Sequence, residues 1–137
     1  MEEGATLACG GKRPAHLPRG YYVEPTLFTG ARNDMVVARE EIFGPVITAI
    51  PFRDEAEAIA LANDSDYGLS GSIFTSDVGR ALRVARRVEA GNLSVNSHSS
   101  VRYWTPFGGY KQSGLGRELG PDAPNAFTEE KNVFIAH

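Results

Sequence analysis

Cysteine and histidine, which carry most thiol chemistry and many metal sites, are scarce in this sequence. The single cysteine, Cys9, excludes an internal disulfide, as is typical of proteins in the reducing cytoplasm, and we predict a cytoplasmic location. No histidine or carboxylate stands at a spacing that marks a thiolate partner, so Cys9 is predicted to be structural or incidental. His16, His98 and His137 share no metal-ligand spacing, and no zinc site is predicted.

Long apolar runs and an excess of positive charge are also missing. No stretch approaches the roughly 18 to 20 apolar residues that span a bilayer. The N-terminus, MEEGA, lacks the basic and apolar regions of a secretion signal. The formal net charge of −3 gives no electrostatic attraction for nucleic acid or an anionic membrane, so we predict neither as a partner. The 137 residues suffice for one domain with a core.

The middle of the chain has an alternating pattern of strands and helices. Residues 46–50 (VITAI), 70–75 (SGSIFT) and 92–96 (NLSVN) have strand character, and a segment with helical spacing lies in each gap. Short connections between such elements predict two crossovers and a parallel βαβαβ sheet of the α/β class. Ligands in such sheets bind beyond the carboxyl ends of strands, so the loop that begins at Ser97 is a candidate site wall.

Both predicted helices have recognisable start signals. Asp54 is placed to cap the first helix, with Glu57 three residues later to complete a capping box. Ser76 is predicted to cap the second, whose apolar positions recur at helical spacing: Val78, Ala81, Leu82, Ala85 and Val88.

The two ends of the chain have shorter β-prone segments. Residues 5–8, 21–23 and 26–29 are strand candidates, and the neighbouring Pro25 predicts edge strands rather than central ones. Residues 132–136 (NVFIA) have no hairpin partner nearby, so they must pair with an edge of this sheet or of another chain.

Residues 97–131 contain much glycine and little periodic structure. A loop of this length in a small domain is usually functional or disordered, and its aromatic residues argue against disorder. The spacing from Gly114 to Gly120 is one residue too long for a dinucleotide-binding loop, and Leu115 stands where a phosphate-binding loop needs lysine. We therefore predict that these glycines permit tight turns and close backbone contact.

A short acidic and aromatic segment, residues 40–46 (EEIFGPV), precedes the first middle strand. Pro45 lacks an amide hydrogen and biases Gly44 away from helical geometry, so the peptide must be extended or turned. Such a connector can hold a carboxylate for neighbouring ribose hydroxyls and a ring for a flat heterocycle. From the spacing alone, an alternative stays open in which Glu40 and Glu41 are solvated charges and Phe43 belongs to the core.

Residues 40–46 resemble the cofactor-contact motif of the NAD(P)-dependent aldehyde dehydrogenases. The resemblance implies that Glu41 binds the nicotinamide ribose hydroxyls and that Phe43 packs beside the nicotinamide end. It also implies NAD or NADP as cofactor and a small-molecule aldehyde as substrate, which the parent enzyme oxidises to a carboxylic acid.

Residues 105–120 (TPFGGYKQSGLGRELG) resemble the C-terminal block of the same family. The resemblance implies that Phe107 lines the aldehyde tunnel, together with Val101, His98 and Trp104 from the preceding loop. A core position for Trp104 is an equal alternative. Tyr103 and Trp104 could also favour aminoaldehydes through cation–π contact.

The family's catalytic motifs do not occur in this sequence. Neither the Gly-Gln-x-Cys of the nucleophile nor the Glu-Leu-Gly-Gly-Lys of the general base is present, and Cys9 has a different context. The resemblance therefore implies that residues 1–137 form the C-terminal part of a catalytic domain that is inactive alone. Residues 132–137 would be its oligomerisation strand, and Val133 to Ala136 would pair subunits of a homo-oligomer. Alternatives are a non-catalytic partner that docks on full-length subunits and a free-standing nucleotide-binding domain.

Overall fold

The computed structural model describes residues 3–98 and 101–137, and the chain divides into two compact units, Met1–Asp64 and Ser65–His137. From residue 3 onward, the described part of the first unit contains three strands and two helices: β1 (Thr6–Cys9), β2 (Thr26–Thr29), α1 (Val36–Arg39), β3 (Val46–Thr48) and α2 (Glu55–Asn63). In residues 65–98 and 101–137 the second unit contains four strands, a helix and a final 3-10 helix: β4 (Tyr67–Gly68), β5 (Ser70–Ile73), α3 (Val78–Arg87), β6 (Asn92–Val95), β7 (Tyr110–Lys111) and Ala123–Phe127.

The sheet of the first unit has the order β1-β2-β3, in which β1 is antiparallel and β3 is parallel to β2. The strand at 26–29 is therefore central, and its prediction as an edge strand is wrong. Pro25 precedes the strand, so it removes no ladder donor, and the first N–H of β2, at Thr26, bonds to the carbonyl of Pro45 at 2.8 Å. Residues 21–23 form no strand.

The second unit contains the predicted crossover between parallel strands. β5 and β6 pair in register from Ser70 opposite Asn92 to Ile73 opposite Val95, and α3 connects them. The α/β class is thus confirmed. The other predicted crossover, from the strand at 46–50 to the strand at 70–75, does not form one sheet. β3 pairs with β2, whereas β5 pairs with β6 in a separate sheet.

The helix starts follow the predicted chemistry with one shift in position. Asp54 caps α2, and its carboxylate accepts the Glu57 N–H at 2.9 Å. The Glu57 carboxylate reaches back to the N–H of Arg53 at 2.6 Å. Asp77 rather than Ser76 caps α3, because its carboxylate lies 3.1 Å from the Arg80 N–H that it accepts.

The glycine-rich segment has more structure than its sequence suggests. Residues 110–111 pair with β4 as β7, and Ala123–Phe127 form a 3-10 helix. Residues 132–137 form no strand within this chain. Their pairing with another chain stays a prediction.

The chain exposes much more surface than its mass requires. Its accessible area is 10758 Å². Two separate compact domains of half this mass would together expose only about 8,400 Å². Among the described residues, the buried apolar side chains are few: Ala31, Met35, Ile59 and Ala81. Apolar side chains such as Val78 and Leu82 of α3 are more than half exposed, so much apolar surface stays accessible to solvent.

Candidate functional site

Val46 of the acidic and aromatic motif begins β3, and the six residues before it, 40–45, are called the acidic-aromatic segment below. This segment lies on the surface of the first unit between α1 and β3. Glu41 is exposed, and Phe43 is 93% exposed. The core position that the sequence left open for Phe43 is therefore wrong within the described chain. An exposed aromatic ring two positions after an exposed carboxylate is available to a flat ligand that carries hydroxyl groups.

The N-terminal end of this segment is fixed by Arg39, the last residue of α1. Its Nη1 donates to the carbonyl oxygen of Asp64 at 2.7 Å, and its Nη2 donates to Asp64 Oδ1 at 2.9 Å. Asn33 Nδ2 lies 2.9 Å from the same carbonyl oxygen and 3.0 Å from that of Leu61. Arginine near the last carbonyls of a helix is favourable, so these contacts dock α1 onto the end of α2.

The C-terminal end is fixed by the sheet. The carbonyl of Pro45 accepts the N–H of Thr26, and β3 continues in parallel register from Val46 opposite Thr26. The hydroxyl of Thr26 accepts the Gly11 N–H at 2.8 Å and donates to the carbonyl of Glu24 at 2.8 Å. Thr26 is buried and fully engaged, so the strand that receives the segment is well anchored.

Between these two ends the backbone adopts an unfavourable conformation. Phe43 has a φ of 49°, in the left-handed region that bulky side chains rarely adopt. Such a conformation persists when the surroundings determine it, and such residues cluster at ligand-binding sites. The positive φ of Phe43 therefore makes this segment a candidate for ligand contact.

The glycine-rich block of the second unit forms a wall of close backbone contacts. Phe107 and Glu118 exchange two backbone hydrogen bonds, of 2.7 and 2.8 Å. A Cβ on Gly91 would lie 1.8 Å from the carbonyl oxygen of Gly108, which shows how tightly the block packs on the start of β6. The buried Asn92 amide donates to the carbonyls of Leu69 and Gly108. The prediction of tight turns and close backbone contact concerned the glycines from Gly114 to Gly120. Gly114, Gly116 and Gly120 have positive φ of 123°, 79° and 71°, which fits turns, but among these three only Gly120 has backbone close to an added Cβ, with the Pro106 nitrogen at 3.0 Å.

A cleft of about 590 Å³ lies along this block. Phe107 lines it together with apolar side chains that include Leu115 and Phe127. Its volume is within the range of sites for small molecules.

The other predicted tunnel residues lie outside the lining of that cleft. Val101, His98 and Trp104 are exposed. Trp104 packs edge-on against Tyr103, with ring centroids 4.5 Å apart, so the core alternative for Trp104 does not hold within the described chain. The backbone before this loop is held by Asn96, whose side-chain amide accepts the Thr75 N–H at 2.9 Å and donates to the Thr75 carbonyl at 3.0 Å.

Sequence reasoning missed the contacts that hold the acidic-aromatic segment. Arg39 and Asp64 are 25 positions apart, and neither stands in a pattern that indicates the pairing. Among residues 3–98 and 101–137, no group of three or more histidine, cysteine or acidic side chains could hold a metal ion. In the same ranges no helix is long and apolar enough to cross a membrane.

Comparison with known proteins agrees with the motifs. The family described as "Aldehyde dehydrogenase family" matches residues 1–133. A betaine aldehyde dehydrogenase of Brucella anthropi is 47% identical over 135 residues, covering 97% of this chain and 28% of the relative. An aldehyde dehydrogenase of Emericella nidulans is 49% identical over 130 residues, with 95% and 26% covered.

The fold agrees as well. The crystal structure of a Mycobacterium tuberculosis aldehyde dehydrogenase complexed with NAD+ superimposes with a TM-score of 0.94 at 46% identity. That match covers 98% of this chain and 28% of the solved chain, so this chain spans about a quarter of the length of its relatives. With the family match, the sequence identity and the fold in agreement, this chain belongs to the aldehyde dehydrogenase family.

Proposed function

We propose that this chain is the C-terminal part of the catalytic domain of an aldehyde dehydrogenase that oxidises an aldehyde to a carboxylic acid with NAD(P)+. The observation that carries the proposal is the acidic-aromatic segment, which is anchored at both ends and presents an exposed Phe43 at a φ of 49° beside Glu41. The solved relative from Mycobacterium tuberculosis is a complex with NAD+, and 46% identity supports the same cofactor here.

In this proposal each site residue has one role. The Glu41 carboxylate accepts hydrogen bonds from the hydroxyls of the nicotinamide ribose, and the Phe43 ring packs beside the nicotinamide end. The bound dinucleotide supplies the hydride acceptor. Phe107 contributes to the wall of the aldehyde tunnel, with Val101, His98 and Trp104 on the loop that approaches it.

The nucleophile and the general base lie outside this chain. Cys9 is exposed, lies at the end of β1, and does not match the context of the family's nucleophile. The 10758 Å² of accessible surface fits a polypeptide whose apolar faces are covered by the rest of a larger fold. The chain alone is therefore expected to catalyse no turnover.

A chimera tests the proposal. Residues 1–133 of this chain replace the matching segment of the betaine aldehyde dehydrogenase of Brucella anthropi, which supplies the remaining length. We expect the chimera to reduce NAD+ with betaine aldehyde. Replacing Glu41 by Gln should raise the KM for NAD+ roughly 10- to 100-fold, since a hydrogen bond to a charged group contributes about 1.5–3 kcal/mol.

The matched control is Glu40→Gln, which removes the same charge one position earlier and should leave the KM for NAD+ unchanged. A folded chimera of native oligomeric state that binds no NAD+ would overturn the proposal. Equal effects of the two substitutions would remove Glu41 from the cofactor site.

The exposed end of the chain supports a role in assembly. Val133, Phe134 and Ile135 are 71–85% exposed and carry strand-forming side chains. We propose that Val133 to Ala136 add to a sheet edge of another subunit in a homo-oligomer. The same feature favours a second candidate function, a non-catalytic partner that docks on full-length subunits. An in-frame coding sequence upstream of Met1 that contains Gly-Gln-x-Cys would decide for the enzyme.

The aromatic pair Tyr103 and Trp104 supports a substrate class. Both rings are exposed, and an aldehyde with a quaternary ammonium group can lie on their faces through cation–π contact. In the chimera, Trp104→Leu should raise the KM for betaine aldehyde about 3- to 10-fold and leave that for a neutral aldehyde unchanged. Equal changes for both aldehydes would refute this substrate class.

A further inference from the structure

The N-terminal end of the acidic-aromatic segment is held by the side chain of Arg39, which bonds twice to Asp64. Resting on the cofactor contacts proposed for Glu41 and Phe43, we propose that Arg39 is a positioning residue that holds this segment in its binding shape through its two bonds to Asp64. Arg39 stands two residues before Glu41 and directs its side chain away from the segment, onto the C-terminal end of α2.

The need for an external anchor follows from the length of α1. A helix of four residues cannot sustain itself, because nucleation is unfavourable and few bonds are gained. Its N-cap, Met35, makes no side-chain capping bond. At the N-terminal end of α1, the Glu3 carboxylate accepts the N–H of Val36 at 2.8 Å. At the C-terminal end, the Arg39 guanidinium donates to the carbonyl of Asp64. The helix is therefore held by tertiary contacts at both ends.

The geometry of the Arg39–Asp64 interaction favours a guanidinium group over an ammonium group. One nitrogen reaches the backbone carbonyl of Asp64, and a second reaches its carboxylate, so the planar group fixes direction as well as distance. The side chains of Arg39 and Asp64 are 43% and 55% exposed. Pairs this exposed contribute little to global stability. The contact should therefore act on local shape more than on whether the unit folds.

The local shape at stake is the left-handed backbone of Phe43. Without the Arg39 anchor, α1 keeps the Glu3 bond to Val36 and a bond of 3.2 Å from the Thr48 hydroxyl to the Val37 carbonyl, but its last residue is no longer held. The backbone of Phe43 can then relax to a favoured negative φ. The carboxylate of Glu41 and the ring of Phe43 would then sample many separations. A ligand that contacts both Glu41 and Phe43 would have to select one of these separations on binding, and the ordering cost would lower its affinity.

A spin label measures the shape without any ligand. In a Cys9→Ser background, Ile42→Cys carries a nitroxide in the middle of the segment on the full 137-residue chain. We expect Arg39→Met to shorten the rotational correlation time of the label at least about twofold. Arg39→Lys should give an intermediate value, because an ammonium group cannot form the fork.

The matched control is Arg32→Met. It removes another exposed Arg–Asp pair in the same unit, with Arg32 Nε 3.0 Å from Asp34 Oδ1, and should leave the label unchanged. Equal label mobility in wild type, Arg39→Met and Arg39→Lys would overturn the proposal. If Arg39→Met does not fold, the comparison of Arg39→Lys with wild type decides alone.

The chimera connects shape to binding. Arg39→Met should raise the KM for NAD+ roughly 3- to 10-fold and leave the KM for the aldehyde unchanged. A substitution that only destabilised the fold would instead lower the fraction of active enzyme and change neither KM. A mobile label with an unchanged KM for NAD+ would overturn the cofactor role proposed for Glu41 and Phe43 and leave the anchoring in place. A raised KM with an immobile label would overturn the positioning role.

Discussion

Gly91→Ala should destabilise the second unit strongly, although it adds only a methyl group. The new Cβ would lie 1.8 Å from the carbonyl oxygen of Gly108 and 2.9 Å from its carbonyl carbon. Both atoms belong to the backbone, so no side-chain rotation can relieve the overlap, and ordinary contact would require a shift of more than about 1 Å.

The cost can be worked out from two contributions. Overpacking in a tight site costs about 1–3 kcal/mol. A backbone shift would also strain the bonds from the buried Asn92 amide to Gly108 and Leu69, and one lost buried bond costs about 1–3 kcal/mol. The total is about 2–6 kcal/mol, which in a unit of roughly 70 residues lowers Tm by at least about 8 °C.

Gly79→Ala is the matched control, because it makes the same chemical change in the same unit. Its Cβ would lie 3.1 Å from Asp77 Oδ1 and 3.4 Å from Arg83 Nη1, and both are ends of side chains that can move. Since alanine favours helix over glycine, this variant should be stabilised by up to about 1 kcal/mol. Thermal unfolding followed by circular dichroism at fixed protein concentration is the assay. A Gly91→Ala protein that melts within about 2 °C of wild type would refute the steric reasoning.

Three further outcomes are expected. The backbone N–H of Arg80, and to a smaller extent that of Gly79, donates to the Asp77 carboxylate and holds its pKa below the ordinary value. The contribution of Asp77 to stability is therefore present above about pH 4 and is lost as the pH falls through the lower pKa of the folded state. Asp77→Asn should flatten the stability profile in that window, and an unchanged acid limb would contradict the assignment. Ile135→Asp should weaken self-association measured by light scattering, whereas a wild-type chain that is monomeric at high concentration would refute the assembly role. The wild-type chain and Cys9→Ser should both fail to reduce NAD(P)+ with any aldehyde, and turnover that survives Cys9→Ser would contradict the missing nucleophile.

Local chemistry in the sequence was sufficient for several features. The crossover from β5 through α3 to β6 follows from strand-forming residues on either side of a helical apolar pattern. Asp54 caps its helix because a short acidic side chain can bond the N–H of the third helical residue. The cap of α3 was displaced by one position, since Ser76 and Asp77 offer the same chemistry and only the backbone geometry selects between them.

Other features required contacts between residues far apart in the chain. The sequence determined that this chain carries aldehyde dehydrogenase motifs and contains no Gly-Gln-x-Cys, since those are properties of local residue order. Only the tertiary structure decided that β2 is central, that β3 pairs with β2, and that Phe43 is exposed in a left-handed conformation. Arg39 reaches Asp64 across 25 positions. No local periodicity records such a pairing, because it is selected by the packing of whole elements and not by the propensity of any one of them.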